Sequence, residues 1–225
     1  MEYNHITFDD IKKNVEFNTY IKRGNDLLGI AGFTDHSTAH TTKVAEAASE
    51  ILTILGYPER TVELAQIAGY IHDIGNMVNR IDHAQTGALM AFNILTSLRM
   101  HPDEIATVVS AIGNHDESTG SAVDPVSAAL IIADKTDVRR SRVRNKDLAT
   151  FDKHDRVNYA VEAANLKIEV KETKNIIRLI LKIDKHICPV MDYFEIFLHR
   201  MLLCKDAAKF LGAEFQLNIN EAKIL

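Results

Sequence analysis

From Ser37 to Val138 the chain repeats apolar residues at three- and four-residue spacing, and the pattern is interrupted at Gly56, Pro58, Pro102 and Pro125. A period near 3.6 buries one face of a helix; laid out as a strand, it would turn half its apolar residues to water. Ten Gly and four Pro are also too few turn formers for a many-stranded sandwich or barrel. The spacing predicts a helix from Ser37 to Leu55 capped by Asp35 or Ser37, and another from Glu59 to Asp73. A third starts near Asp82 with Ala88, Leu89, Phe92 and Leu95 on one side; a fourth runs from Pro102 to Asn114, and a fifth starts at Asp124-Pro125. Ahead of them, an amphipathic stretch from Asp9 to Lys22 stops at Gly24, and Leu27 to Phe33 is an apolar connection. Helices joined by short loops make a bundle.

Beyond residue 150 the period falls to two. Leu166, Ile168 and Val170 alternate with charged residues, Ile176 to Ile183 follows after a polar turn, and Phe215, Leu217 and Ile219 alternate with amides. Between the second and third runs, Pro189 to Leu211 reads as a long helix with Met191, Phe194, Phe197, Leu198, Met201 and Leu202 inside and Gly212 as its stop. The expected organisation is therefore a mainly α unit over residues 1–150 and a small α+β (ββαβ) unit over 151–225, parted in the charged stretch from Arg139 to Arg156.

Composition narrows the function. A net charge of -5 lacks the basic excess of a nucleic-acid binder, so no nucleic-acid partner is expected. The first twenty residues carry Asp9, Asp10 and Glu16 without a signal-peptide core, and no apolar run approaches the roughly 18 residues of a membrane span. A cytoplasmic protein with no membrane partner is the expectation. Cys188 and Cys204 cannot build a disulfide scaffold or a four-thiolate zinc site.

Six of the ten histidines fall between residues 36 and 115, where even spacing would put three or four. In a chain poor in thiols, that excess points to metal chemistry through nitrogen and oxygen ligands. The strongest local feature is His72-Asp73, which ends an apolar helix in Gly-Tyr-Ile-His-Asp-Ile-Gly. A carboxylate beside an imidazole in apolar surroundings needs a cation or a good partner. A helix end in which His72 and Asp73 satisfy backbone groups is the alternative. His40 stands one turn into the preceding helix with His36 four residues before it, and Asp134 interrupts Ala129-Leu130-Ile131-Ile132-Ala133. His83 opens one helix and His115 closes another, at ends that a bundle can bring to a common mouth.

In these residues the chain resembles the HD-domain metal-dependent phosphohydrolases, over roughly residues 34 to 145. Their signature is a His, an adjacent His-Asp pair and a distant Asp on helices of an α bundle, matched by His40, His72-Asp73 and Asp134. Members that bind two metals add two histidines, matched by His83 and His115. The resemblance implies a mainly α HD-domain bundle and two divalent ions among Fe, Mn, Co, Ni, Zn and Mg. It also implies that His40, His72, Asp73 and Asp134 hold the first ion and that His83 and His115 hold the second, with Asp73 bridging. His72 and Asp73 would be catalytic, and a metal-bridging hydroxide would cleave a phosphoester or phosphoanhydride. Asn76 departs from the family, many of whose two-metal members have Lys after His-Asp-x-Gly. The Gly-Tyr-Pro extension of the cyclic di-GMP branch is also missing after His115-Asp116-Glu117, which disfavours that substrate. A small nucleotide or dinucleotide-type phosphorylated compound is the expected partner.

Candidate substrate contacts are His36, Asn76, Asp116, Lys135, Arg139 and Arg142, with Arg140 and Arg144 in the same basic run. Solvated helix-end positions explain the basic residues as well. His101 before Pro102 is expected to be structural, and His5, His154, His186 and His199 carry no partner pattern. A regulatory or ligand-binding module that retains the metal site, and a helical protein whose histidines are structural, are the competing readings. The second β-containing unit has no assigned role; a homodimer through its sheet edge or long helix is one use for it.

Overall fold

The computed structural model describes residues 2–225. The first helices are α1 (Phe8–Lys13), α2 (Val15–Ile30), α3 (Thr38–Ile54) and α4 (Glu59–Ile71). A 3-10 turn at Ile74–Met77 leads to α5 (His83–Ser97), α6 (Pro102–Gly113) and α7 (Pro125–Thr136). Then come α8 (Lys153–Ala160), β1 (Val161–Glu169), β2 (Asn175–Ile183), α9 (Val190–Phe210), β3 (Ala213–Ile219) and the two-residue β4 (Ala222–Lys223). No helix is long and apolar enough to cross a membrane among the described residues.

The helix starts follow from local chemistry. Ser37 caps α3 by accepting from the Ala39 amide. Asp124 and Ser127 form a reciprocal capping box ahead of α7, with Pro125 in the first helical position, where its missing N–H costs nothing. His101 caps α6 in the same setting, its Nδ1 accepting from the Asp103 amide, so it is structural as expected.

The N-terminal expectation needs correcting. Instead of one helix from Asp9 to Lys22, the chain breaks at Asn14, whose side chain accepts from the Glu16 and Phe17 amides and so starts α2. Gly24 is inside α2 and stops nothing. Its missing side chain lets α2 lie against the 3-10 turn, where an added Cβ would stand 3.0 Å from the Met77 amide nitrogen. The apolar run from Leu27 is helical as far as Ile30.

Around α4, helices α3, α6 and α7 close an apolar core that includes Val44, Ile51, Ile67, Ile71, Val108, Ile112, Leu130 and Ile131. On α5 the inward side is Ala84, Ala88, Ala91 and Leu95, whereas Leu89 and Phe92 face solvent at 67% and 49% exposure. Small residues mark that face because α5 packs close to the 3-10 turn and α6. On α9 the buried line is Tyr193, Phe197, Met201, Cys204 and Ala208; Met191, Leu198 and Leu202 are exposed, contrary to the expected face.

The sheet has the order β1-β2-β3-β4, with β1 antiparallel to β2, β2 parallel to β3 and β3 antiparallel to β4. The β2-α9-β3 crossover is the connection that a parallel pair requires. Ile177, Leu179, Leu181, Phe215, Leu217 and Ile219 are buried on alternate positions of the two central strands. Helix α9 packs against both β3 and α7, which brings the C-terminal unit onto the bundle beside Asp134.

Candidate metal centre

Three packed helices supply the first ligand group. His40 comes from the first turn of α3, His72 and Asp73 from the end of α4, and Asp134 from the last turn of α7. The Nε2 of His40 is 3.4 Å from Asp134 Oδ1 and 3.7 Å from Asp73 Oδ2. The Nε2 of His72 is 3.2 Å from Asp73 Oδ2 and 3.7 Å from Asp134 Oδ1. The second group is built around the other oxygen of the same carboxylate: His83 and His115 approach Asp73 Oδ1 to 3.5 and 3.9 Å, and their Nε2 atoms are 3.2 Å apart. Asp73 thus turns one oxygen to each group.

Gly75 makes this junction possible. A Cβ there would stand 2.0 Å from the carbonyl oxygen of His83 and 2.5 Å from the amide nitrogen of Gly87, so any side chain would push α5 away. The glycine of His-Asp-Ile-Gly therefore sets where His83 meets Asp73.

All four histidines are buried and aimed by the same device. Nδ1 of His72, His83 and His115 lies 2.8, 3.0 and 2.6 Å from the carbonyls of Gly69, Arg80 and Ile112, and Nδ1 of His40 lies 2.8 Å from Asp137 Oδ2. A carbonyl can only accept, so Nδ1 carries the proton and Nε2 faces the carboxylates. Nε2 of His40 and of His72 is buried without a hydrogen-bond partner. Orphaned ring nitrogens, oriented from behind and facing two carboxylates, fit a divalent cation. Ligand atoms bound at about 2.1 Å would stand roughly 3 to 3.5 Å apart, close to the separations here.

The electrostatics favour the same species. Burial opposes ionisation of Asp73 and Asp134, yet His72 beside the first and Lys135 beside the second hold both well below the usual carboxylate range. Burial would neutralise His72, but the two carboxylates outweigh it and raise its pKa to about 10. Burial lowers His83 and, with the nearby charge of His72, takes His115 down to about 3. His72 and Lys135 thus compensate the two buried carboxylates, a role that a divalent ion suits.

The expected substrate contacts divide by position. His36, Lys135 and Arg142 line a cavity of about 340 Å³ over Asp73 and Asp134. His36 presents Nε2 3.9 Å from Asp73 Oδ2. Lys135 is buried between Asp134 Oδ2 and Glu117 Oε2, 2.8 Å from each, and Arg142 donates to the carbonyls of Asp35 and Asp137. Asn76 turns inward and donates to Asp73 Oδ1 at 2.8 Å, while Asp116 caps the turn at Ser118. Arg139 pairs with Asp137 at 2.7 Å on a separate groove. Neither Asn76, Asp116 nor Arg139 lines the cavity.

Sequence reasoning missed several residues. Asp137 orients His40, and burial notwithstanding, that hydrogen bond and Arg142 keep its carboxyl well below its ordinary range. Its position three residues after Asp134 was the available signal. Arg80 lines the cavity with Nη1 3.3 Å from His83 Nε2. His154 and Asn158 of α8 and Phe197 and Arg200 of α9 complete the wall, and no spacing rule links them to the histidines.

The chain has relatives among known proteins. The chain is 28% identical over 192 residues to an uncharacterized protein of Methanocaldococcus jannaschii, covering 74% of this chain and 71% of the relative. It is also similar to the crystal structure of a predicted HD superfamily hydrolase from an uncultured Thermotogales bacterium. There the identity is 26%, the coverage is 55% of this chain and 67% of that one, and the TM-score is 0.43. The HD domain family matches residues 38–156, a span that holds every ligand candidate from His40 to Asp134. That match covers more than half of the chain, and the chain therefore belongs to the HD domain family, a membership that implies binding of divalent metal.

Proposed function

We propose that the protein is a metal-dependent phosphohydrolase that cleaves a phosphoester or phosphoanhydride in a small, nucleotide-type substrate. The carrying observation is Asp73, whose Oδ2 faces His40 and His72 while its Oδ1 faces His83 and His115. His40, His72, Asp73 and Asp134 would hold one ion, and Asp73, His83 and His115 a second. Divalent ions in such a pair polarise a phosphoryl oxygen and lower the pKa of water at neutral pH, the requirements of in-line hydrolysis. The chain's own residues do the rest. Arg80 and Arg142 bring guanidinium groups to the cavity wall, suited to phosphoryl oxygens. Phe33 and Phe197 add apolar surface to the same wall. His36 adds a neutral imidazole, since burial holds its pKa well below the ordinary value.

One observation favours a second reading, a ligand-binding module that keeps the metal site. Asn76 is neutral and committed to Asp73, so that position supplies no cation for phosphate. Against it, Arg80 stands 3.2 Å from Asn76 Oδ1 and brings a cation to the same corner. Elemental analysis of gently purified protein, followed by a nucleotide and phosphoester panel with Mn, Fe, Co and Ni in turn, separates the readings. The phosphohydrolase predicts close to two ions per chain and turnover of at least one compound, both lost in Asp73→Ala. Tight metal retention without turnover under any metal selects the module, and Asp73→Ala with full metal content and activity overturns both.

A further inference from the structure

We propose that Arg200, on the C-terminal helix α9, is a positioning residue for the metal ligand Asp134, acting through Glu117 and Lys135. The inference rests on the metal-site reading above and goes beyond it, because it gives the C-terminal unit a part in that site.

Four charged side chains of alternating sign form the connection. Asp134 Oδ1 faces His40 and His72, which leaves Oδ2 to the Lys135 ammonium at 2.8 Å. The same ammonium lies 2.8 Å from Glu117 Oε2, and the other oxygen of Glu117 accepts from Arg200 Nε at 2.9 Å. The Arg200 guanidinium in turn rests over the Phe197 ring, 4.8 Å from its centroid. Lys135 has 4% of its side chain exposed, so its charge needs both carboxylates, and Arg200 is the second cation that pairs with Glu117.

The consequence is mechanical. An ammonium shared between two carboxylates stays centred only while both are equally neutralised. Without Arg200, Glu117 becomes the less compensated partner and draws Lys135 from Asp134 Oδ2. Asp134 is then free to rotate about its side-chain bonds, and the oxygen aimed at His40 and His72 loses its fixed direction. Groups that orient a metal ligand from behind typically account for a factor of about 10 to 100 in metal affinity. Glu117 also follows His115 by two residues, so the same contact pins the loop that leaves the second ligand group.

The experiment is titration of metal-free full-length protein with Mn2+ by calorimetry, with thermal unfolding followed with and without the ion. Arg200→Met keeps the stem on Phe197 and removes the charge; Arg200→Lys restores a cation; Glu117→Gln removes the carboxylate that competes with Asp134 for Lys135. The expected result is Mn2+ affinity weaker by about tenfold in Arg200→Met, partly recovered in Arg200→Lys, and near the wild-type value in Glu117→Gln, where Lys135 keeps Asp134 as its carboxylate partner. The metal-free melting temperature should change little, while the Mn2+-induced rise shrinks. Combining Arg200→Met with Glu117→Gln should recover most of the affinity lost in Arg200→Met, because no Glu117 charge remains to draw Lys135 away. Wild-type affinity within twofold in Arg200→Met overturns the proposal, as does a double variant as weak as Arg200→Met or a loss of stability that is the same with and without metal. Should the wild-type protein itself bind no Mn2+, it is the metal-site reading that fails.

Discussion

The bundle and the C-terminal sheet unit bury the same kinds of apolar residue and differ in what else they bury. In the bundle and the segment just after it, His40, His72, Asp73, Asn76, His83, His115, Lys135, Asp137 and Arg142 are withdrawn from water. From β1 onward, Gln216 is the buried polar side chain among the described residues. Burying charge is costly without compensation, whereas burying Leu and Phe is favourable on its own. The stability of the bundle is therefore expected to depend on what its centre holds, and that of the sheet's own apolar core much less so. Proteins often divide labour in this way, with strain kept near the chemistry.

Five changes probe that division, in descending order of effect. Gly75→Ala should abolish both folded protein and metal retention, since its Cβ would meet the His83 carbonyl at 2.0 Å; circular dichroism and elemental analysis of the purified variant check this. In the sheet unit, Leu179→Ala removes a wholly buried side chain and should cost about 3 kcal/mol in denaturant unfolding, by the same amount with and without metal. A different loss with metal present would show that the two regions are not energetically separate. Chelation of the wild-type protein should lower stability by about 3 kcal/mol at an ion concentration some hundred times the dissociation constant, with no matching change in a melt monitored through the sheet.

Smaller effects sharpen the picture. Asp137→Asn keeps the shape behind His40 but weakens the acceptor of its Nδ1 proton, and about a tenfold loss in metal affinity, or ~1.4 kcal/mol, should appear in calorimetry. The smallest effect is remote from the centre. Glu104 accepts from Arg60 Nε and Nη2 at 2.6 Å, and these hydrogen bonds, against some burial, lower its pKa. A carboxylate lowered on folding stabilises above its unfolded value, so this contribution is complete near neutral pH and fades as pH falls through the folded value. In partly exposed surroundings it amounts to roughly 0.5 kcal/mol, and Glu104→Gln should remove the corresponding pH dependence of unfolding below about pH 4.5.

The legible part of the molecule is the part whose signals are local. Ser37, His101-Pro102 and Asp124-Pro125 mark helix starts by chemistry acting over three residues, so the bundle helices stand where their spacing predicts. His72, Asp73 and Asp134 stand out because imidazole and carboxylate are out of place in apolar runs, whereas the ligand roles of His40, His83 and His115 followed from the resemblance to the HD-domain family. What stayed hidden depends on distant neighbours. Arg200 and Glu117 meet across 83 positions, and nothing in either's surroundings distinguishes it from an ordinary surface charge. The face of α5 was misjudged because large residues draw attention, although Ala84, Ala88 and Ala91 are the ones that a close helix contact admits. The break at Asn14 was visible in principle, since an Asn followed by Val-Glu-Phe is a good cap, but the apolar rhythm ran straight through it.

The seating of α9 on α7 also separates kinship from architecture. The family match ends at residue 156, inside α8, yet the helix that packs on α7 begins 34 positions later, at Val190. A fragment cut at the end of the family match would leave the α9-facing side of α7 uncovered and Glu117 without Arg200.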